Sequence, residues 1–327
     1  MSTWLRAWAA SAAFALPPTG AAAPPLLDLV ATHSLAGVRG RIDHFAVDAA
    51  GHRIFVAALG NDTVEVLDTR GAAHRSLAGF GEPQGVAYLP DQRRLFIANG
   101  SADRVDVLDA SFAVIRRIEG LADADNVRIA ADGKTILAGY GKGALAIIDG
   151  ASATVRAHIA LPGHPESFQV EKGSSRVYVN VPAVHAVVVA DLASRSVVAT
   201  WPVPQAARNF PMALDEAAHR LFVGARSPAV MLVYDTHSGR VVARVPIGGD
   251  TDDLFFDAQR KRIYAICGEG RVDVVKQEDA DRYTREASID TAPGARTGLF
   301  VPEEGELYVA APARGTRPAR ILVYRTR

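Results

Sequence analysis

One alignment of the chain with itself restricts its fold more than any other feature. Placing Val56, Ile97, Ala138, Val179, Val223, Ala265 and Val309 in one column superimposes seven segments, with steps of 41, 41, 41, 44, 42 and 44 residues. The unit is plainest over residues 41–80. A strand-like run at His44–Val47 meets a turn at Asp48–Arg53, and a second run follows at Ile54–Ala58. A Gly-Asn-Asp loop, a third run over Thr63–Leu67 ended by Asp68, and a short fourth run complete it. The third runs recur as TVEVLD, RVDVLD, ALAIID, VVVAD, LVYD, RVDVVK and RILVYR. A period in the low forties carrying four strands per copy is the mark of a β-propeller blade, not of a helical solenoid. Seven copies predict an all-β, seven-bladed β-propeller built of four-stranded antiparallel blades.

Counting strands also predicts how the ring closes. The seventh repeat stops at Arg327, just after its third strand, while Leu26–Leu35 precedes the first complete repeat. Pairing Val30–Leu35 with Ile321–Tyr324 supplies the missing outer strand of the last blade and removes an exposed edge. The chain of 327 residues exceeds an ordinary single-core domain, but stacked repeats bury their faces against neighbours and escape that limit. No linker or compositional break divides residues 24–327, which read as one domain.

The first 23 residues read differently. Arg6 precedes an apolar run at Ala7–Leu16, followed by Pro17-Pro18-Thr19-Gly20 and Ala21–Ala23. That run is too short to span a bilayer and fits a cleaved signal peptide over residues 1–23, hence a periplasmic or secreted protein without a membrane span after cleavage. The single cysteine, Cys267, ends an apolar strand and is expected to act as a small buried hydrophobe. With 36 basic and 36 acidic residues and no basic block, the chain lacks the positive footprint that nucleic acid or an anionic membrane requires.

The phrases IFVAALGNDTVEVLDT (54–69), RLFIANGSADRVDVLD (94–109) and RVYVNVPAVHAVVVAD (176–191) resemble the YVTN-type propeller repeat, in which a Tyr-Val-x-Asn strand end precedes a Val-x-Val-Ile-Asp strand. Asn99 and Asn180 hold the Asn position, whereas Ala57–Ala58 and Gly139 depart from it. The resemblance covers residues 26–327. YVTN-type, YncE-like proteins are typically seven-bladed and exported. The resemblance implies no single reaction; some members look like nucleic-acid, cell-surface or extracytoplasmic binding proteins.

In a blade, the loop entering the first strand and the loop between the second and third strands emerge on the same face, around the channel mouth. The residues two before the first-strand anchors are Asp43, Gln84, Asp125, Glu166, Phe210, Asp252 and Arg296. The next position holds His44, Gly85, Asn126, Ser167, Pro211, Asp253 and Thr297. Phe210 and Pro211 occupy the same slots, so the repeat itself does not demand polarity there. Asn61, Asn99, Tyr140, Lys142, Asn180, Arg226 and Glu269 lie in the loops between second and third strands, with His164 just before the fourth entry. Arg314, Arg317 and Arg320 lie on or beside the last long loop. Two carboxylates ~8 Å apart repel by about 2 kcal/mol at an effective dielectric of ~20. A dry acidic ring would need a cation, an arginine such as Arg296, or raised pKa values.

These residues support two readings. In the first, a monomeric propeller binds a small polar ligand or a protein partner at its mouth through Asp43, His44, Gln84, Asp125, Asn126, His164, Glu166, Arg226, Asp252, Asp253 and Arg296, with no chemistry and no cofactor of its own. In the alternative, Asp43, Asp125, Glu166 and Asp252 hold Ca²⁺ or Mg²⁺, which oxygen ligands favour over zinc. A metal-assisted lyase or lactonase-like hydrolase would then use His44 or His164 as general base. Other motifs fail on their context. Gly133-Lys134-Thr135 lacks the upstream glycine of a phosphate loop, whose place Arg128 takes, and no helix follows it.

Overall fold

The computed structural model describes residue 1, residues 25–71 and residues 73–327; the signal peptide expected over residues 1–23 lies, Met1 apart, outside them. Twenty-eight strands form seven four-stranded antiparallel sheets. The first blade consists of β2 (Phe45–Asp48), β3 (Arg53–Ala58), β4 (Thr63–Asp68) and β5 (His74–Ala78). The innermost strands of the next five are β6 (Pro83–Leu89), β10 (Val127–Ile129), β14 (Phe168–Val170), β18 (Ala207–Asp215) and β22 (Thr251–Asp257).

The last blade comprises β26 (Gly298–Val301), β27 (Glu306–Ala311), β28 (Ala319–Thr326) and, as its outer strand, β1 (Leu27–Leu35). Leu27 pairs with Thr326, and Leu35 with Ala319. The closure therefore engages the whole of β1, beyond the six residues the strand count required. The pairing gives β28, the outer edge of the unfinished blade, its main-chain partner.

Register is the same in every blade. Phe45, Val86, Val127, Phe168, Met212, Leu254 and Gly298 pair with Val56, Ile97, Ala138, Val179, Val223, Ala265 and Val309, and all seven second-strand anchors are completely buried. The apolar interior is divided into seven clusters, each drawn from two adjacent blades. Aromatic pairs bridge several of these interfaces: Phe55 stacks on Tyr88 at 5.4 Å, and Tyr264 meets Phe300 edge-on at 5.2 Å. Cys267 is buried among them, as expected, and burial pushes its thiol up to about 12. No helix of the described residues is long and apolar enough to cross a membrane.

The turns close one face of the disc. Third strands end in aspartates whose carboxylates accept turn N–H groups: Asp109 from Ser111, Asp149 from Ser152, Asp191 from Ser194 and Asp235 from Ser238. Between first and second strands, the left-handed residue is glycine in Gly133 and Gly305. It is His52, Arg93, His219 and Lys261 in four other blades, a backbone that among side-chain-bearing residues Asn and Asp adopt more readily.

Candidate functional site at the channel mouth

The entries to the innermost strands converge on the opposite face. Each entry backbone is pinned to the second strand of its own blade. The N–H groups of Asp43, Asp125 and Glu166 donate to the carbonyls of Ala57, Gly139 and Asn180 at 2.7, 3.0 and 3.0 Å. Blades also lock to one another here: His44 N–H donates to the Gln84 carbonyl at 3.2 Å, and Thr297 Oγ1 donates to the Ile42 carbonyl at 3.1 Å. Gly85 is small because a Cβ at that point would lie 2.2 Å from the Asp125 carbonyl oxygen of the next blade.

The polar side chains form two layers. Asp43, His44, Asp125, Asn126, Asp252 and Asp253 are buried. Above them, Arg41, Asp123, His164, Glu166, Asp250 and Arg296 keep contact with solvent. The four carboxylates expected to share one mouth do so, because the Arg41 guanidinium feels Asp43, Asp252, Asp125 and Glu166 together. Gln84 is half-buried beside them and contributes its backbone carbonyl to His44.

The ring carries its own counter-charges. Arg41 Nη2 lies 2.8 Å from Asp43 Oδ2. Arg226 stacks 4.1 Å from the centroid of Phe210, donates from Nε to the Thr251 carbonyl at 2.9 Å, and places Nη2 2.6 Å from Asp252 Oδ1. The apolar exception in the column, Phe210, is thus the platform that orients Arg226. Arg296 reaches Asp250 at 3.0 Å and Asp252 at 3.4 Å. His44 sits between Asp253, 3.4 Å from Nδ1, and Asp43, 3.6 Å from Nε2. Asp253 also accepts the Gly298 N–H at 2.9 Å, which ties the sixth blade to the seventh.

Burial sets the ionisation of these groups against their neighbours. Burial pushes Asp43 up to about 7 against the pull of the His44 and Arg41 charges. Burial, then repulsion from Asp125, pushes Glu166 up to about 7. Asp252 is raised by burial, with Arg226 foremost among the cations opposing it. Burial acts to strip the proton from His44, but the charges of Asp253 and Asp43 outweigh it and raise the imidazole to about 10. His164 rises to about 9, chiefly through Asp125, whose carboxylate stands at an ion-pair distance of 3.7 Å. The Asn126 amide lies 3.0 Å from His44 Nε2, and Asn126 Oδ1 is buried without a partner. With that oxygen turned to the imidazolium, the amide oxygen accepts the Nε2–H hydrogen bond and neither that oxygen nor that N–H is left unpaired. The geometry therefore holds His44 as a cation rather than as a free base.

Among the described residues, no three His, Cys, Asp or Glu side chains converge on a point able to hold a metal ion. Asp43, Asp125, Glu166 and Asp252 each face a cationic neighbour instead.

Other loop residues serve the scaffold. Asn99 donates to the Ile97 carbonyl and to Asp106 within its blade, and Asn180 donates to the Phe210 and Pro211 carbonyls of the next. Tyr140 is within hydrogen-bond distance of His158 on the outer strand, 2.9 Å away. Four residues of the site escaped the sequence reading: Arg41, Asp123, Asp250 and Arg128. Arg41, Asp123 and Asp250 belong to a third column, four before the anchors, that runs Arg41, Glu82, Asp123, His164, Arg208, Asp250 and Gly294. Glu82, Asp123, Arg208, Asp250 and Gly294 there adopt left-handed backbone, with φ of 47, 48, 60, 55 and 85°. Extending the column alignment by two residues would have exposed this second ionisable ring. Arg128 lies one residue past an anchor, and its charge acts on His44, Asp253 and Asp125.

No protein-family model matches the sequence, and no curated protein matches it either. Solved structures match its fold. One chain of the Kuenenia stuttgartiensis hydrazine synthase superimposes with a TM-score of 0.76 at 18% identity, covering 89% of this chain and 97% of that one. A chain of a mitotic checkpoint complex superimposes with a TM-score of 0.78 at 15% identity, covering 100% of this chain and 99% of that one. At such identities the likeness is one of architecture, and it agrees with the seven-bladed reading.

Proposed function

We propose that this protein is an exported YVTN-type propeller that binds a small polar ligand at its channel mouth, and that the ligand approaches with hydrogen-bond donors foremost. One observation carries the reading. Among the described residues, ten fully buried side-chain polar atoms lack a hydrogen-bonding partner; with Asn126 Oδ1 turned to His44, four of the others belong to the mouth: both oxygens of Asp43, Asp252 Oδ2 and Arg226 Nη2. Several of these sit at ion-pair distance from an opposite charge but off the line a hydrogen bond requires. Three of the four are acceptors, so the complementary group is a hydroxyl or an ammonium. Leaving buried acceptors unpaired costs about 1–3 kcal/mol each, which makes such a cluster a site prepared for a partner and not an ordinary core.

The solvent-reaching layer sets how a ligand would be read. Arg41 and Arg296 offer donors to any acceptor it carries, while Glu166 and Asp250 offer acceptors. Export is supported by the Arg6-led apolar segment at the N-terminus, and the YVTN assignment by the repeat phrases around Asn99 and Asn180.

Calorimetric titration of the purified protein against hydroxylated and amine-bearing small molecules tests the reading. A binder should lose about tenfold or more in affinity on Asp252→Asn or Glu166→Gln, since removing one charged hydrogen-bond partner is worth roughly 1.5–3 kcal/mol. Binding that ignores both substitutions would place the ligand elsewhere. Titration with Ca²⁺ and Mg²⁺ examines the metal-assisted alternative on the same residues. A saturable heat abolished by Asp252→Asn would favour the alternative.

A further inference from the structure

One cleft of the described structure lies not in the ring but on its rim, and ligand binding in the ring does not account for it. It has a volume of about 520 Å³ and lies between residues 37–40, which lead into the first blade, and residues 313–318, which join β27 to β28. Both segments belong to the mouth face: the Gly60 N–H donates to the Arg41 carbonyl at 2.9 Å, and Asn61 Oδ1 accepts the Arg39 N–H at 3.3 Å. Arg39, Arg314 and Arg317 line the cleft, and no acidic residue does. A second cleft of about 400 Å³ flanks the other side of the same hairpin and adds Arg320. None of these four arginines lies within ion-pair distance of a carboxylate among the described residues, unlike Arg41, Arg226 and Arg296 nearby.

The backbone makes the charge deliberate. Arg314 and Arg317 face each other across a two-residue turn and exchange both main-chain hydrogen bonds, at 3.0 and 3.1 Å. Residues paired in this way project their side chains from the same side of the hairpin. Like charges placed directly opposite destabilise a pair, and here a third arginine from another loop stands across the cleft. Gly37 and Gly315, with φ of +87 and +58°, leave open space where a side chain would begin. The sequence shows no basic block because Arg39 and Arg314 lie at opposite ends of the chain; ring closure is what brings them together.

We infer that this cleft is a binding site for a small, multiply charged oxyanion, a di- or tricarboxylate or an organic phosphate, gripped by the planar forks of Arg39, Arg314 and Arg317. Arginine guanidinium groups pair with two oxygens of a carboxylate or phosphate at once, and the cleft is of metabolite size. The inference is independent of the ring, which calls for donors, whereas this site calls for acceptors.

Calorimetric titration of the whole protein with citrate and with pyrophosphate provides the test, the tighter of the two identifying the head group. One saturable site is expected, weakening by about tenfold or more when sodium chloride rises from about 50 to 300 mM, as screening shortens the reach of exposed charges. The Arg314→Ala/Arg317→Ala double variant should bind at least about tenfold more weakly, and Arg39→Ala, on the other loop, should do the same if the hairpin variant fails to fold. Glu166→Gln, in the ring, should leave the affinity within about twofold, since a charge removed from a separate site acts only through screened distance. The proposal is overturned by the absence of a saturable site for either anion, by affinity indifferent to the arginine variants, or by an equal loss on Glu166→Gln. Retention of heparin without citrate or pyrophosphate binding overturns it as well, leaving only a polyelectrolyte surface.

Discussion

The two faces of the disc treat the same side chain in opposite ways. On the turn face, Asp48, Asp109, Asp132, Asp149, Asp191 and Asp235 are all held below the ordinary aspartate range. Most of them owe this to N–H and hydroxyl donors within one tight turn; Asp48 and Asp132 do so despite some burial. At the mouth, Asp43, Glu166 and Asp252 are all raised, because burial removes water and only off-line cations replace it. A turn aspartate is completed by its own few residues of chain. A mouth carboxylate such as Asp252 meets its nearest cations, Arg226 and Arg296, from the blades on either side, and its hydrogen-bonding capacity is left partly unused. The first arrangement builds a scaffold, and the second leaves a surface with something still to bind.

The largest test of this contrast is Asp253→Ala. It strips His44 of its nearer carboxylate and Gly298 of an acceptor, and should cost about 3–5 kcal/mol in equilibrium denaturation, as expected for breaking a buried charge pair from one side. A loss under about 1 kcal/mol would mean that the mouth is no more dependent on cross-blade pairing than the turns.

The second test is the pH dependence of thermal stability. At the mouth the folded protein holds protons that the unfolded chain releases: Asp43 and Glu166 up to about pH 7, His164 up to about 9 and His44 up to about 10. Their contribution is fully present below the unfolded pKa values and is lost as pH rises through the folded ones. The turn aspartates act in the other direction; Asp191, at about 2, contributes stability above the unfolded value that is lost as pH falls towards its folded one. The melting temperature should therefore peak at about pH 4–6 and fall by roughly 5 °C or more by pH 9, and Glu166→Gln should flatten the slope below pH 7. A melting temperature that climbs up to pH 9 contradicts the assignment.

Next in size is Asp48→Ala on the turn face. Loss of the Gly51 N–H and Arg53 contacts should cost about 1–2 kcal/mol at neutral pH, and the difference from wild type should vanish once acid protonates the carboxylate. The smallest effect is expected at Arg208, which is exposed and left-handed at φ 60°. Relief of that backbone by Arg208→Gly should stabilise the fold by about 0.5 kcal/mol, the strain released being partly offset by the freer unfolded chain.

Fold was readable from the sequence because it is written seven times. The anchors from Val56 to Val309 share one register, and a missing strand at one end answered a spare one at the other. The position of the mouth followed from the same columns. What escaped was pairing. Arg226 belongs to a loop whose neighbours Asn99 and Asn180 turn inward, and nothing in its own repeat announces Phe210 beneath it or Asp252 beside it. The Asn126–His44 contact joins residues 82 apart, and Thr297 reaches Ile42 across 255. Repeats reveal what is alike between blades, whereas these contacts are made by what differs.

Ring closure also decides where anything joined to the disc must leave it. β1 begins beside the end of β28, and the Arg327 N–H donates to the Leu26 carbonyl at 3.1 Å, so both strands start and stop on the turn face. Cargo, a tether or a solid support attached beyond Arg327 therefore hangs behind the molecule. A copy immobilised through its C-terminus presents its open front outwards, and an experimenter can anchor it there without covering the surface under study.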